Sequence, residues 1–222
     1  MSEVVITLDI DWAPDFAIDA VAKVLRDAGV ASTWFVTHTS PAVEQLRVDR
    51  DLFELGIHPN FLSGSDHGST TEEVLRHCMK LVPEARSVRT HALVQSHLIL
   101  EAIVVETPVR VDLSIFLPGM AHIAPVSYAV HDDDLLRIAY YWEDDDQTLQ
   151  PDPVWSFERH WRVEGIRVLD FHPMHVYLNS KDRSAYESVK ELMPLRDLAP
   201  DDVAPFVNHG QGARTVFEEV VE

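Results

Sequence analysis

The sequence contains a single cysteine, Cys78, in 222 residues. One cysteine cannot form a disulfide within the chain, so the fold must be stable without a covalent cross-link. The first residues, "MSEVVITLD", also lack the basic segment and long apolar run of a secretory signal. We therefore expect a cytoplasmic protein without a membrane-inserted segment.

Basic residues are scarce as well. Eighteen lysines and arginines stand against 37 aspartates and glutamates, which gives a formal net charge of -19. A chain of this sign repels phosphate backbones, so nucleic acid is not expected as a partner, and a small molecule is. Two acidic runs, at residues 131–136 and 142–147, are predicted to be solvated loops. Nothing in the composition indicates an oligomeric state.

What the sequence does contain is a repeated alternation of strand and helix patterns. In residues 4–11, "VVITLDID", apolar side chains alternate with a face that ends in Asp9 and Asp11, as in a strand. Asp15 is predicted to cap the helix that follows, and residues 31–37 form the next strand. Strand, helix and strand within so short a segment predict two parallel strands joined by a right-handed crossover.

The alternation continues to the end of the chain. Thr70 and Glu73 have the spacing of a capping box before a helix that ends at Pro83, and Cys78 on its apolar face is predicted to be a core thiol. Ser184 is predicted to cap a later helix that ends before residue 194. Further strands are predicted at residues 87–95, 109–116 and 135–142, and strands that run into turns at residues 52–60 and 166–179. We expect one α/β domain over residues 1–222, closed or nearly closed into a barrel.

Four histidines follow β-rich segments, namely His58, His91, His172 and His175. Parallel strands end at the same edge of an α/β fold, so these side chains are expected to meet the Asp9 and Asp11 carboxylates there. In an extended strand those carboxylates lie about 7 Å apart, and a positive charge should compensate them. A divalent metal held by carboxylate oxygen and imidazole nitrogen would do so. Pairing with an arginine such as Arg89 is the alternative.

Several of these motifs together resemble the NodB-like polysaccharide deacetylases, and most closely their cytosolic WbmS type. "ITLDID" is similar to the first family motif, T-F-D-D-G, and "TWFVT" to the T-F-F-V strand that follows it. "ELGIHPN" resembles E-x-G-x-H, "VRTH" resembles R-x-P-Y, and "VLDFHPMH" resembles the last motif, in which a histidine follows hydrophobic residues. The resemblance implies an irregular (β/α) barrel of about seven parallel strands. It also implies a divalent transition metal, with Zn²⁺ as the first candidate, and hydrolysis of an N-acetyl group from an amino sugar or a sugar-containing precursor of a surface polysaccharide.

The resemblance implies a ligand set for that metal. It assigns Asp11 and His58 as ligands, and likeness to the YdjC-like sugar deacetylases makes His91 the preferred third ligand. His67 and His172 are alternatives, because Leu62 stands where the family has its second histidine.

Roles in catalysis follow from the same resemblance. Asp9 would accept a proton from the attacking water, although Ile10 between the two aspartates leaves open which of them binds the metal. His172 or His175 would protonate the departing amine, and Arg89 would orient Asp9. Two further residues, Asn60 and Trp12, are predicted to contact the substrate.

Two other functions remain open at this point. "LDIDW" also fits the D-x-D motif of a haloacid-dehalogenase-type phosphohydrolase, with Asp9 as nucleophile and Asp11 as acid. A relative of the deacetylases that binds metal or sugar without turning it over is the third possibility. Metal content, acyl-phosphate trapping on Asp9 and release of acetate distinguish the three.

Overall fold

The computed structural model describes residues 4–222, so residues 1–3 of the expected domain lie outside the described part. Its eight strands are β1 (Val4–Asp9), β2 (Ser32–Val36), β3 (Phe53–Ile57), β4 (Ser87–Val88), β5 (Val111–Phe116), β6 (Val126–Val130), β7 (Asp133–Glu143) and β8 (Arg167–Phe171). The α-helices are α1 (Asp15–Ala28), α2 (Pro41–Val48), α3 (Thr71–Leu81), α4 (His97–Glu106), α5 (Asp144–Leu149), α6 (Pro173–Leu178), α7 (Ser184–Lys190), α8 (Pro200–Val203) and α9 (Ala213–Val221). No helix in residues 4–222 is long and apolar enough to cross a membrane.

Seven of the strands form a closed parallel barrel. They pair in the order β5, β4, β3, β2, β1, β8 and β7, and the pairing of β5 with β7 completes the ring. This arrangement confirms the expected (β/α) barrel. Strand β6 was not predicted; it pairs antiparallel with β7 and lies outside the ring.

The first strand and helix show how the sequence builds this barrel. Leu8 on the outer face of β1 is fully buried under the helices, whereas Thr7 and Asp9 alternate to the inner face. Helix α1 ends at Gly29, whose φ of 66° is the left-handed conformation that glycine adopts without strain. The prediction that Asp15 caps this helix is wrong, because Pro14 occupies the cap and Asp15 lies in the first turn. A carboxylate there still interacts favourably with the helix dipole.

Helix α3 forms as predicted. The Thr70 hydroxyl accepts the N–H of Glu73, and the Glu73 carboxylate accepts the N–H of Thr70. Cys78 is fully buried, and burial raises the pKa of its thiol to about 12. The prediction of a core thiol is therefore confirmed.

Several predicted boundaries are wrong. Only Ser87–Val88 of the segment at 87–95 is a strand, and the chain then turns through positive φ at Ala92 and Leu93. The segment at 166–179, predicted as a strand that runs into a turn, leaves the strand after Phe171 as expected but continues as helix α6 in place of the turn. Helix α7 begins at Ser184 without a side-chain cap and ends at Lys190. Most of the acidic run at 131–136 belongs to β7 and is not a loop.

Candidate active site

A cavity of about 420 Å³ opens at the carboxyl ends of the parallel strands. This is the edge at which α/β barrels place their binding sites. Seven of the nine residues predicted for the site line the cavity: Asp9, Asp11, Trp12, His58, His91, His172 and His175.

Asp11, His58 and His91 meet in one cluster. Asp11 follows β1 in a left-handed turn with φ of 44°, so the chain has left the strand before this residue. Its Oδ1 lies 3.1 Å from His58 Nε2 and 3.1 Å from His91 Nδ1. The two ring nitrogens are 3.2 Å apart. Burial alone would raise the pKa of Asp11, but its hydrogen bonds to the two histidines hold that pKa well below its ordinary value.

The chemistry of this cluster fits a divalent transition metal. One carboxylate oxygen and two imidazole nitrogens from three strand ends lie within 4.8 Å of one another. Two neutral imidazole nitrogens that face each other at hydrogen-bond distance need a proton or a cation between them. Carboxylate oxygen and imidazole nitrogen form a ligand set used for Zn²⁺ and neighbouring metals.

The alternative ligand His67 lies elsewhere. Its Nδ1 accepts the N–H of Asn60, and its Nε2 donates to the carbonyl oxygen of Thr37, so both ring nitrogens are occupied. The side-chain oxygen of Asn60 accepts the N–H of Leu62. The expectation that Asn60 contacts substrate is not supported, because its side chain stabilises its own loop and does not line the cavity. Trp12 does line the cavity.

Asp9 is held by a buried arginine. Asp9 Oδ1 accepts a 3.0 Å hydrogen bond from Arg89 Nη1, and Asp9 Oδ2 lies 3.7 Å from His58 Nε2. The Arg89 guanidinium is sandwiched between the rings of Phe35 and Tyr140, at 4.7 and 4.5 Å. Arg89 therefore lies beneath the cavity and acts on it through Asp9.

A second aspartate, Asp170, also binds Arg89, and it was not among the predicted site residues. Arg89 Nη1 also donates to Asp170 Oδ1, while Arg89 Nη2 donates to the hydroxyl of Thr7 at 2.8 Å. Burial raises the pKa of Asp170 well above its ordinary value, although Arg89 opposes this shift. Burial would lower the pKa of Arg89, but the two aspartates raise it. The sequence did contain a clue to Asp170: in "VLDFH" the alternation of a strand puts Asp170 on the same face as His172.

Asp9, Asp170 and His172 also bring donor atoms within 4.8 Å of one another. Arg89 already contributes a positive charge to both aspartates of this group. The donor atoms of the Asp11 cluster therefore fit a divalent metal better than those of this second group do.

His172 is oriented by Asp144, which belongs to the acidic run at 142–147. That run was predicted to be a solvated loop, and the prediction is wrong, because Asp144 is fully buried. Its Oδ1 lies 2.7 Å from His172 Nδ1, and its Oδ2 accepts the backbone N–H of His172 at 2.9 Å. His172 Nε2 then points towards Asp11, with 3.7 Å to Asp11 Oδ2. Burial would lower the pKa of His172, but the Asp144 carboxylate raises it well above its ordinary value.

His175 has a different environment. Its Nε2 contacts Asp145 Oδ1 at 3.1 Å, and its Nδ1 contacts the hydroxyl of Ser180 at 2.9 Å. Asp145 also accepts two hydrogen bonds from Arg183, at 3.0 and 3.2 Å. Both nitrogens of His175 are therefore engaged, whereas His172 Nε2 is directed towards Asp11.

The comparisons with known proteins identify the family of this chain. A profile of the WbmS-like polysaccharide deacetylase family matches residues 6–190. Among solved structures, WbmS of Bordetella bronchiseptica, described as a candidate polysaccharide deacetylase involved in O-antigen biosynthesis, is 35% identical, with a TM-score of 0.84 over 99% of this chain and 90% of that chain. A 4-alpha-glucanotransferase from Thermococcus litoralis has 9% identity and a TM-score of 0.50 over 78% of this chain and 33% of that chain, which is a likeness of fold alone. No curated protein matched significantly.

These findings do not favour the phosphohydrolase alternative. It requires Asp9 as a free nucleophile, and Asp9 is instead bound to Arg89. The family profile covers most of the chain, and the WbmS structure matches nearly its full length at 35% identity. The chain therefore belongs to the WbmS-like family of polysaccharide deacetylases.

Proposed function

We propose that this protein is a metal-dependent hydrolase that removes an N-acetyl group from an amino sugar. One observation carries the proposal: the Asp11, His58 and His91 cluster lies between the arginine-bound Asp9 and the Asp144-bound His172. Hydrolysis of an acetamide needs a base for the attacking water and an acid for the leaving amine. Asp9 is the proposed base and His172 the proposed acid, and both lie beside the Asp11 cluster.

The proposed reaction divides the work among three sets of residues. Asp11, His58 and His91 would hold the divalent metal, with Zn²⁺ as the first candidate, and bound metal supplies Lewis acidity towards water and the acetamide carbonyl. Asp9 accepts the proton of the attacking water. Arg89 binds Asp9 Oδ1 and so fixes the orientation of this carboxylate. His172 donates a proton from Nε2 to the amine nitrogen as the carbon–nitrogen bond breaks. The products are acetate and the free amino sugar.

The proposed substrate is a small molecule, an amino sugar or a sugar-containing precursor of a surface polysaccharide. Support comes from the WbmS neighbour, which is described as involved in O-antigen biosynthesis. A cytoplasmic site of action is part of the proposal, in keeping with a single, buried cysteine. The net charge of -19 argues against nucleic acid as a partner.

Release of acetate is the direct test. The purified protein, supplied with Zn²⁺, Co²⁺ or Ni²⁺, is expected to release acetate from at least one member of a panel of N-acetylated sugars, sugar phosphates and nucleotide sugars. Asp9→Asn should lower kcat by about 10²–10⁴-fold, because the variant lacks the proton acceptor. If metal binds tightly, no panel member yields acetate and Asp9→Asn changes no measured property, the protein is a binding relative and not an enzyme.

Metal stoichiometry tests the ligand assignment separately. We expect about one transition-metal ion per chain in the wild type by elemental analysis after dialysis, and a loss of affinity of at least tenfold in His91→Ala. His67→Ala is the control, because it removes a histidine near the cavity whose two ring nitrogens are engaged outside the cluster. Full occupancy in His91→Ala would transfer the third ligand to another side chain, with His172 as the next candidate.

A further inference from the structure

We propose that Lys190 makes this cavity selective for an N-acetylated sugar that carries a negative charge, a carboxylate or a phosphate. The inference rests on the proposed function and names the substrate class for the same site. It starts from the wall of the cavity that α7 forms. No residue of α7 has a role in the proposed reaction.

Lys190 is the last residue of α7 and lines the cavity. Its Nζ lies 5.2 Å from the centre of the Tyr186 ring, a distance at which the ring face attracts a cation. Tyr186 is buried and packs against the His175 ring, with 4.4 Å between ring centres. The ammonium group is therefore placed by a buried aromatic residue that is itself part of the cavity wall.

The acidic side chains of the cavity are largely compensated from within the protein. Asp9 is bound by Arg89, and Asp11 is bound by two histidines. Asp145 is bound by His175 and Arg183. The remaining acid, Glu143, accepts a hydrogen bond from the hydroxyl of Tyr140 at 3.3 Å.

The two cations of the cavity wall differ in their partners. Arg183 is neutralised on both sides, with Asp145 at 3.0 Å and Glu187 at 2.8 Å. Lys190 has no acidic oxygen within ion-pair distance in residues 4–222, and Glu187, the acid of α7 that its charge influences, is itself paired with Arg183. Lys190 is thus a cation of the cavity wall without a side-chain ion pair in the described residues, and its exposed side chain lines the cavity of a chain whose net charge is -19.

This arrangement suits an anionic ligand group. A lysine ammonium is a compact positive charge with three hydrogen-bond donors, and it pairs with either carboxylate or phosphate oxygens. The Asp11 cluster and Lys190 line the same cavity. The proposal therefore has the acetamide of the sugar at the Asp11 cluster and its negative group at Lys190. A uronic acid and a sugar phosphate provide the same charge, so experiment must distinguish them.

Three probes separate these cases: N-acetylglucosamine, its C6 carboxylate analogue and N-acetylglucosamine 1-phosphate. In the wild type we expect a KM about tenfold lower for at least one anionic probe than for the neutral sugar, as one charge-assisted hydrogen bond provides. Lys190→Gln should raise KM for that probe by about tenfold, with kcat within twofold and the neutral sugar unaffected. Lys181→Gln removes the same charge from an exposed lysine outside the cavity wall and should change neither KM.

Equal KM values for neutral and anionic probes, or an equal effect of Lys190→Gln on both, would overturn the inference. If no probe releases acetate, the proposed function fails on these substrates. The role of Lys190 is then tested by calorimetric titration, which measures the Kd of the same three probes. Tighter binding of an anionic probe, lost in Lys190→Gln, would still support the role of Lys190. Equal Kd values in the wild type and the variant would refute it.

Discussion

Replacing Arg89 with methionine is expected to lower the free energy of unfolding by about 3–5 kcal/mol, as removal of one partner from a buried ion pair does. The guanidinium is 1% exposed, and it bridges Asp9 and Asp170 inside the barrel. Methionine fills similar apolar space between Phe35 and Tyr140 but leaves two carboxylates without a cation. Urea unfolding followed by circular dichroism measures the change.

Two further variants decide whether charge is the cause. Arg76→Met removes an exposed arginine and should change the free energy of unfolding by less than about 0.5 kcal/mol. Adding Asp170→Asn to Arg89→Met removes one of the two stranded carboxylates and should restore part of the loss. Equal stability of the single and double variants would show that Arg89 acts through packing.

The residues of the candidate site that could be predicted from the sequence are those fixed by strand periodicity. Alternation in β1 places Asp9 on the inner face, and a histidine directly after β3 must emerge at the same edge of the barrel. His58 and Asp9 are therefore brought together by backbone geometry alone. Asp11 lies in the site because the backbone adopts a left-handed turn there, which no periodic pattern predicts.

The residues that were missed depend on contacts distant in sequence. Arg89 binds Asp170 across 81 positions, and His172 binds Asp144 across 28. The sequence of the acidic run at 142–147 is typical of a solvated loop. Only the structure shows that the end of β7 places Asp144 beside His172. Helix α4 was missed for another reason: its sequence, "HLILEAIVVE", is apolar around most of its circumference and lacks the helical period.

Asp144→Asn is expected to lower kcat for an N-acetyl sugar by about 10²–10⁴-fold, the usual contribution of a positioned acid or base. Asparagine keeps the size of Asp144 but removes the charge that holds a proton on His172. Burial then lowers the pKa of His172 against the weaker opposition of Asp170 and Asp11, so the proton is lost at a lower pH. The alkaline limb of the pH–rate profile should therefore move to lower pH in the variant. Asp146→Asn, a neighbouring acid of the same run that contacts Gln150, should leave the profile unchanged.

The dependence on the leaving group separates proton donation from a structural effect of the same substitution. An amine cannot depart from the tetrahedral intermediate without a proton, whereas 4-nitrophenolate can. If His172 acts as the acid, Asp144→Asn and His172→Ala should both retain most of the wild-type rate with 4-nitrophenyl acetate while losing the N-acetyl sugar activity. Equal losses with the two substrates would mean that the Asp144–His172 pair shapes the cavity, or the metal site beside Asp11, and that the leaving amine receives its proton from another group.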